Sequence, residues 1–390
     1  MRITKLILLI GLLLWLSPSC IDRYFINADE DIEGKIVISG TITDEGGNQQ
    51  IQISRSSSPE NPKFIPISGC QVIVEDNTGN QIVFQETAGQ GHYEAELEPS
   101  MLEVGKSFQL KVNLPDGTSY ESSEETLTPS PDIADVYYDL ETKSTYGRGS
   151  EEDGLQFYID FEGDSQSGNY YRWKLEETYE YHSTWPIIRY LDEEGVIHES
   201  GTDYSYYYCY KTEELNQIFA LSTEGFTQNS YKKYPLHFVN DHTQRLMYQY
   251  SLLVKQLSLS RNAYEYWENL RKNNKEATDL FGKQPGNVKG NISNPSNPNE
   301  VVLGYFGVSS VKTKRIHILD VPELSFSEVE YCTAALLDTT EPLPAQPRPL
   351  YMVPIKDLNG NDAWGYANTS CFICTLLGGT TEKPPYWIDE

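Results

Sequence analysis

Between residues 108 and 114 the chain alternates without a break: Phe108, Leu110, Val112 and Leu114 are apolar, while Gln109, Lys111 and Asn113 are polar. A period of two puts all four apolar side chains on one face of an extended strand, whereas a helix would scatter them around its axis. The tripeptide "PDG" then turns the chain into "TSYESS", Pro fixing one backbone angle and Gly allowing the next. The same pattern recurs upstream. Ile36 and Ile38, then Ile51 and Ile53, flank the turn-rich "TDEGGNQQ", and Val72 and Val74, then Ile82 and Phe84, flank "DNTGNQ". Short strands separated by turn signals about every 8–12 residues are what a β-sandwich produces. The 28 tyrosines, with plentiful β-branched residues, also favour strands over helices.

Pro129 and Pro131 in "LTPSPD" break strand pairing and stiffen the chain, so they mark a boundary between two units. Beyond it Leu155, Phe157, Ile159 and Phe161 alternate with polar residues, "GDSQSG" turns, and Tyr171, Trp173, Leu175, Tyr179 and Tyr181 alternate in their turn. This predicts a long antiparallel hairpin with one wet face. "MYQYSLLVKQLSLS" is a further strand that runs into a helix. Ser260 can cap that helix, and Ala263, Trp267 and Leu270 share one face with Tyr264 and Tyr266 at its edges. After a loop rich in Gly, Asn and Pro, "VVLGYFGVSSVKTKRIHIL" resumes strand character. The expected fold is mainly β: an N-terminal sandwich of immunoglobulin or prealbumin type over 35–128, then a larger antiparallel β-rich domain over 132–390 carrying one α-helix. The run from "GCQVIVEDNTGNQIVFQE" to "GKSFQLKV" and "DGTSYES" is similar to prealbumin-like or carboxypeptidase-regulatory-like domains, which act as structural or adhesive modules.

At the N-terminus, Arg2 and Lys5 precede an apolar run from Leu6 to Trp15, and small residues Ser17 and Ser19 lead to Cys20. This is the layout of a secretory signal over 1–19, and the run falls short of the roughly 20 apolar residues that a spanning helix needs. A signal ending in cysteine resembles the lipobox of bacterial lipoproteins, which implies that the Cys20 thiol is acylated and that 20–34 forms a lipidated, polar tether. Acyl chains anchor a protein without making it span, each buried CH₂ contributing about 0.8 kcal/mol. Cleavage after residue 19 leaves 28 basic against 57 acidic residues, a net charge of −29. Such a chain repels nucleic acid and anionic headgroups alike, so the lipid is its expected link to the membrane.

Five cysteines remain, which is odd in number for an exported chain. Cys70, beside Val72 and Val74, reads as a buried free thiol. Cys209, Cys332, Cys371 and Cys374 are the disulfide candidates, and sequence leaves their three pairings open. Zinc binding by the four, or a redox pair at Cys371 and Cys374, are weaker readings, because disulfides are the rule outside the cytoplasm. The six histidines form no HExxH, and there is no GxSxG elbow, P-loop or GxGxxG. No catalytic residue and no cofactor or metal is therefore expected. Aromatic residues carry more information. "YEYHSTW" and "DYSYYYCY" place Tyr179, Tyr181, Trp185, Tyr206 and Tyr208 as binding candidates for a glycan or peptide, since Tyr and Trp bury area at low entropic cost.

Taken together, Cys20, "IVISGTITDEG", "GCQVIVED", "LSRNAYEYWENL", "GKQPGNVKGNISNPSNPNEVVLGYFGVSSVKTKRI" and "CFICTLLGGTTEKPPYW" resemble the Bacteroidota lipoproteins grouped as domain of unknown function 4249. The resemblance implies a lipid-anchored protein of the outer membrane, periplasmic or surface-facing, that is an accessory partner of a TonB-dependent receptor. A surface hydrolase acting on glycans or peptides, and a structural adhesin, are the alternative readings.

Overall fold

The computed structural model describes residues 34–58, 61–144, 151–278, 288–326, 332–337 and 348–388. The signal, Cys20 and the tether up to residue 33 lie outside them. The fold is mainly β, with four sheets and one α-helix, Arg261–Thr278, among the described residues.

The first sheet has eleven strands. Along its path they run Ile292–Ser293, Ser119–Ser122, Ser107–Asn113, Gln71–Asp76, Gln81–Glu86, His92–Leu97, Gly47–Arg55, Ile36–Thr43 and Phe306–Ser309, with Ile65–Pro66 and Glu125–Thr126 attached at the sides. Val72 and Val74 stand opposite Val112 and Leu110 on one side and Phe84 and Ile82 on the other. Strand Gln81–Glu86 changes neighbours along its length: Gln81 to Phe84 pair with Gln71–Asp76, and Gln85 and Glu86 pair with His92–Leu97. The apolar faces of both halves consequently merge into one core, where Val72, Leu110 and Val112 meet Ile36, Ile38 and Ile51. That arrangement is sandwich-like. Asp76 builds one of its turns, accepting the N–H groups of Thr78 and Asn80 at 2.9 Å each. Bonds from the Thr78 and Asn80 side chains and amides hold its carboxyl well below the usual range.

Both ends of this sheet path come from one segment. Ile292 pairs antiparallel with Ser122, and Phe306 pairs in parallel with Gly40. Residues 292–309 follow the helix in the chain yet belong to the first sheet, so sheet membership does not follow the chain order on which the division at 128 and 132 rests. The physical reason is the edge: the outer strands would otherwise present unpaired N–H and C=O groups. Asn291 fastens the segment to itself, its Oδ1 accepting the Phe306 N–H at 2.9 Å and its Nδ2 donating to the Phe306 carbonyl at 2.8 Å. Two glycines allow the close approach. A Cβ on Gly290 would fall 1.6 Å from the Gly304 carbonyl oxygen, and one on Gly304, whose φ is +92°, would fall 2.0 Å from that of Ile38.

The second lobe is built from two facing sheets. One holds Ile133–Ser144, Glu151–Glu162 and Ser230–Asn240; the other holds Tyr208–Glu214, Tyr170–His182, Tyr250–Ser258 and Val311–Ile318, with Phe219–Ser222 at its side. The hairpin expected of Glu151–Glu162 and Tyr170–His182 does not form. Each strand takes other neighbours, and the two meet through side chains, the Phe161 ring centre lying 4.7 Å from Tyr171 and 5.8 Å from Trp173. Both strands have an apolar face, and crossing from one sheet to the facing one buries each against the other; alternation alone cannot tell this from in-plane pairing. Ser260 caps the helix by accepting the Ala263 N–H at 3.1 Å, and Ala263, Tyr266 and Trp267 pack on Leu257, Leu259 and Tyr305. The proline linker is tied down as well, Gln256 donating to the Pro131 carbonyl at 2.7 Å. The last sheet comprises Ile197–Asp203, Ile187–Leu191, Leu350–Lys356, Asp362–Tyr366 and Ala335–Leu336.

Replacing Asn291→Ala orphans two backbone groups of Phe306, each costing about 1–3 kcal/mol when buried. Urea unfolding is expected to show a loss of at least about 2 kcal/mol; a change near zero would mean that water takes over both bonds.

Candidate functional site

The four disulfide candidates form two bonds, Cys209–Cys374 and Cys332–Cys371, with Cα atoms 5.8 and 5.9 Å apart. All four thiols are thus consumed, which leaves none for zinc, and the neighbouring Cys371 and Cys374 bind different partners. Cys70 is the free cysteine among the described residues, partly buried against the first core, and burial pushes its thiol up. The closely spaced tail pair fastens two separate places. Cys374 draws the tail onto strand Tyr208–Glu214, where its N–H donates to the Tyr206 carbonyl at 3.0 Å, and Cys371 holds the last sheet, its carbonyl accepting the Trp185 N–H at 3.0 Å.

Above the first of these bonds stands a turn that faces solvent. Asp203 starts it by accepting the Ser205 N–H at 2.8 Å, and the Tyr207 N–H donates back to the Tyr204 carbonyl at 3.0 Å. Tyr204, Tyr206 and Tyr208 emerge at 49, 46 and 44 % exposure. The rings of Tyr204 and Tyr208 continue into a chain of aromatic contacts. Tyr208 stacks on Tyr204 at 6.0 Å and meets the edge of His182 at 4.7 Å, and His182 stacks on Tyr248 at 3.6 Å. Glu180 fixes the imidazole at 2.8 Å, and that bond is the main reason its carboxyl lies below its ordinary value. The result is an aromatic platform on a covalently fastened base.

The other candidates lie deeper. Tyr181 is 2 % exposed, and its hydroxyl donates to the Cys374 carbonyl at 2.7 Å while accepting the Gly379 N–H at 3.0 Å. Tyr179 is half-buried with its hydroxyl 3.5 Å from Glu213. Trp185 packs on Phe372 at 5.6 Å within the last sheet's core. The structure thus leaves Tyr206 and Tyr208 exposed around one turn, while Tyr179 and Trp185 are partly buried and Tyr181 is sealed.

A cavity of about 510 Å³ adjoins the platform through His182, and Tyr179, Lys211, Glu213 and Arg245 also line it. Glu177 closes its floor. This carboxylate is almost fully buried and accepts from Arg245 Nη1 at 3.0 and 3.2 Å and from the Tyr250 hydroxyl at 2.9 Å. Burial and Glu177 push Tyr250 far above its ordinary value, which keeps its hydroxyl a donor. His237 lies 3.7 Å from Glu177, yet burial, helped by Arg245 and Lys143, drives it down to about 4. Sequence reading missed this network, though one sign of it was there: an acid at 177 occupies the inward position between Leu175 and Tyr179 where alternation asks for an apolar residue. Among the described residues no group of three or more His, Cys, Asp and Glu side chains is placed to hold a metal ion.

These features define a disulfide-tied β protein of two sandwich-like lobes with an aromatic outer face. The chain belongs to the family described as a domain of unknown function (DUF4249), whose sequence model matches residues 21–315. No curated protein matches it. The matched span takes in the first lobe, the platform and the second lobe as far as strand Val311–Ile318, and stops before Cys332, Cys371 and Cys374.

Because the folded value of His237 lies below the ordinary 6.5, the unfolded chain takes up the proton first. Its contribution to stability is whole above pH 6.5 and is lost as the pH falls toward 4. Urea unfolding of wild type and His237→Gln from pH 7 to pH 4 is expected to bring the two closer by about 3 kcal/mol; a constant gap would place the titration elsewhere.

Proposed function

We propose that this chain is a non-enzymatic lipoprotein of the outer membrane, anchored through acylated Cys20, that acts as an accessory or ligand-binding partner of a TonB-dependent receptor. The observation that carries this reading is the platform: three tyrosines nearly half exposed on one turn above a disulfide, two of them, Tyr204 and Tyr208, held further by a chain of ring contacts. Aromatic side chains grouped on a rigid base are what protein and glycan interfaces use, because little freedom remains to be lost on binding. The commitment of Glu177 to Arg245 and Tyr250 favours binding over acid–base chemistry in the adjoining cavity. With a net charge of −27 before processing, attraction to anionic lipid is weak, and the acyl chains carry the attachment.

The test is purification of tagged protein from mildly solubilised native membranes. The wild type is expected to bring down a TonB-dependent receptor in near-equal amount, Cys20→Ala to leave the membrane fraction, and the triple change Tyr204→Ala, Tyr206→Ala, Tyr208→Ala to stay anchored but lose the receptor at least about tenfold. A lipidated wild type that purifies alone contradicts the partnership; a triple variant that keeps its receptor removes the platform from it.

A further inference from the structure

The outer faces of the two lobes enclose a cleft of about 650 Å³, within the range of about 300–1,000 Å³ usual for small-ligand sites. One wall is the outward face of strands Ile36–Thr43 and Gly47–Arg55. It offers Ser39, Thr41, Gln50 and Gln52, with the amides already oriented, since Gln52 donates to Gln50 and Gln50 to Glu94 at 3.2 and 2.9 Å. The opposite wall is the outward face of strand Tyr170–His182. Trp173 and Leu175 point into the core there, so Arg172 and Lys174 point out into the cleft.

These two cations are the anomaly. In a chain with 57 acidic residues, neither makes an ion pair or hydrogen bond among the described residues, and Arg172 Nε is buried without a partner. The Arg172 guanidinium lies over the Trp267 ring, 3.4 Å from its centre, which fixes its plane and leaves it without a carboxylate at ion-pair distance among the described residues. Glu45, Glu176 and Glu214 also line the cleft, but the first two are paired with other cations, Glu45 with Lys255 at 3.2 Å and Glu176 with Arg315 at 3.1 Å. Glu214 attracts both cations from beyond ion-pair distance. Burial pushes Arg172 down to about 10, and Lys174 stands exposed two residues along the same face, so an arriving negative charge would relieve one disfavoured cation and meet a second that solvent already reaches.

We infer that this cleft binds an acidic saccharide, its carboxylate held between Arg172 and Lys174 and its hydroxyls facing Ser39, Thr41, Gln50 and Gln52. The planar guanidinium fork matches a carboxylate, and the ammonium adds a second charge. Hydroxyl and amide side chains both donate and accept, as a polyol requires. A peptide would call instead for an open strand edge or an apolar groove, and both walls here are sheet faces. The inference rests on the reading of this chain as a binding protein, and not on its receptor. Arg172 and His182 are ten residues apart on one strand, about 30 Å at about 3.3 Å per residue, so cleft and platform can be tested separately.

Calorimetric titration of the full mature chain in mild detergent, with a galacturonate trimer and the neutral galactose trimer as probes, tests it. The acidic trimer is expected to bind one to one, at least about tenfold tighter than the neutral one and more weakly as salt rises. Lys174→Gln, a solvent-reachable change, is expected to weaken it at least about tenfold, and Arg172→Gln likewise, with circular dichroism checking that variant's fold. The triple tyrosine variant should keep full affinity for the trimer. No saturable binding by the wild type, equal affinity for both trimers, an unchanged affinity in Lys174→Gln, or loss of binding in the tyrosine variant would each overturn the assignment. Failure of receptor capture with trimer binding intact would strike only the receptor partnership.

Discussion

A sandwich folded from a single sheet path has two open edges, and every free N–H and C=O along them is a place where another chain can pair. Residues 292–309 cover both. This one segment pairs with Ser119–Ser122 at one end and with Ile36–Thr43 at the other, and the next strand, Val311–Ile318, already belongs to the second lobe. The first lobe therefore cannot be completed until the chain has passed through the second and returned. Just after it, Val311 donates its N–H to Asp44 Oδ1 at 2.8 Å, and Ser310 accepts the Ser258 N–H at 3.0 Å, so the return stitches the lobes together as well as closing the sheet. The walls of the cleft are fixed relative to each other by those contacts.

Electrostatics divides the molecule in a second way. The surface is strongly acidic, and most acids sit in water or in turns, where Asp76 and Asp203 order backbone amides. Charges inside need partners, because an unpaired buried charge is costly. Glu177 shows the rule obeyed, with Arg245 and Tyr250 filling its acceptor positions. Arg172 departs from it, its Nε buried without a partner, and a group left unsatisfied at the wall of a reachable cleft is a reason to look for a ligand.

Much of the fold was legible from pattern alone. The period of two at Phe108 to Leu114 put those side chains in the core, Ser260 marked the start of the helix, and the odd cysteine count left Cys70 unpaired. What pattern could not supply was partnership. Alternation states which face of a strand is buried and says nothing of its in-plane neighbour, so Glu151–Glu162 and Tyr170–His182 read as a hairpin when they face each other across a core. The role of residues 290–309 stayed hidden for the same reason, although Gly290 and Gly304 each mark a close backbone approach that a Cβ would block and Asn291 bonds both backbone groups of Phe306 through its side chain. At the candidate site, exposure separated like from like: Tyr181 and Tyr208 belong to the same tyrosine-rich pattern, and only the fold shows that one is sealed beneath a disulfide while the other meets solvent.

Closure of the first lobe by the returning segment is the claim on which the rest stands, and hydrogen exchange of the intact chain addresses it directly. The N–H groups of Ile38 and Gly40 donate to the carbonyls of Leu303 and Tyr305, and that of Ser123 to Asn291. If the segment closes both edges, these three amides exchange only with global unfolding, as slowly as Val72 and Val112 in the middle of the sheet. If they exchange by local opening while the central strands stay protected, the segment is an attachment rather than a closure, and the dependence of the two lobes on it is refuted.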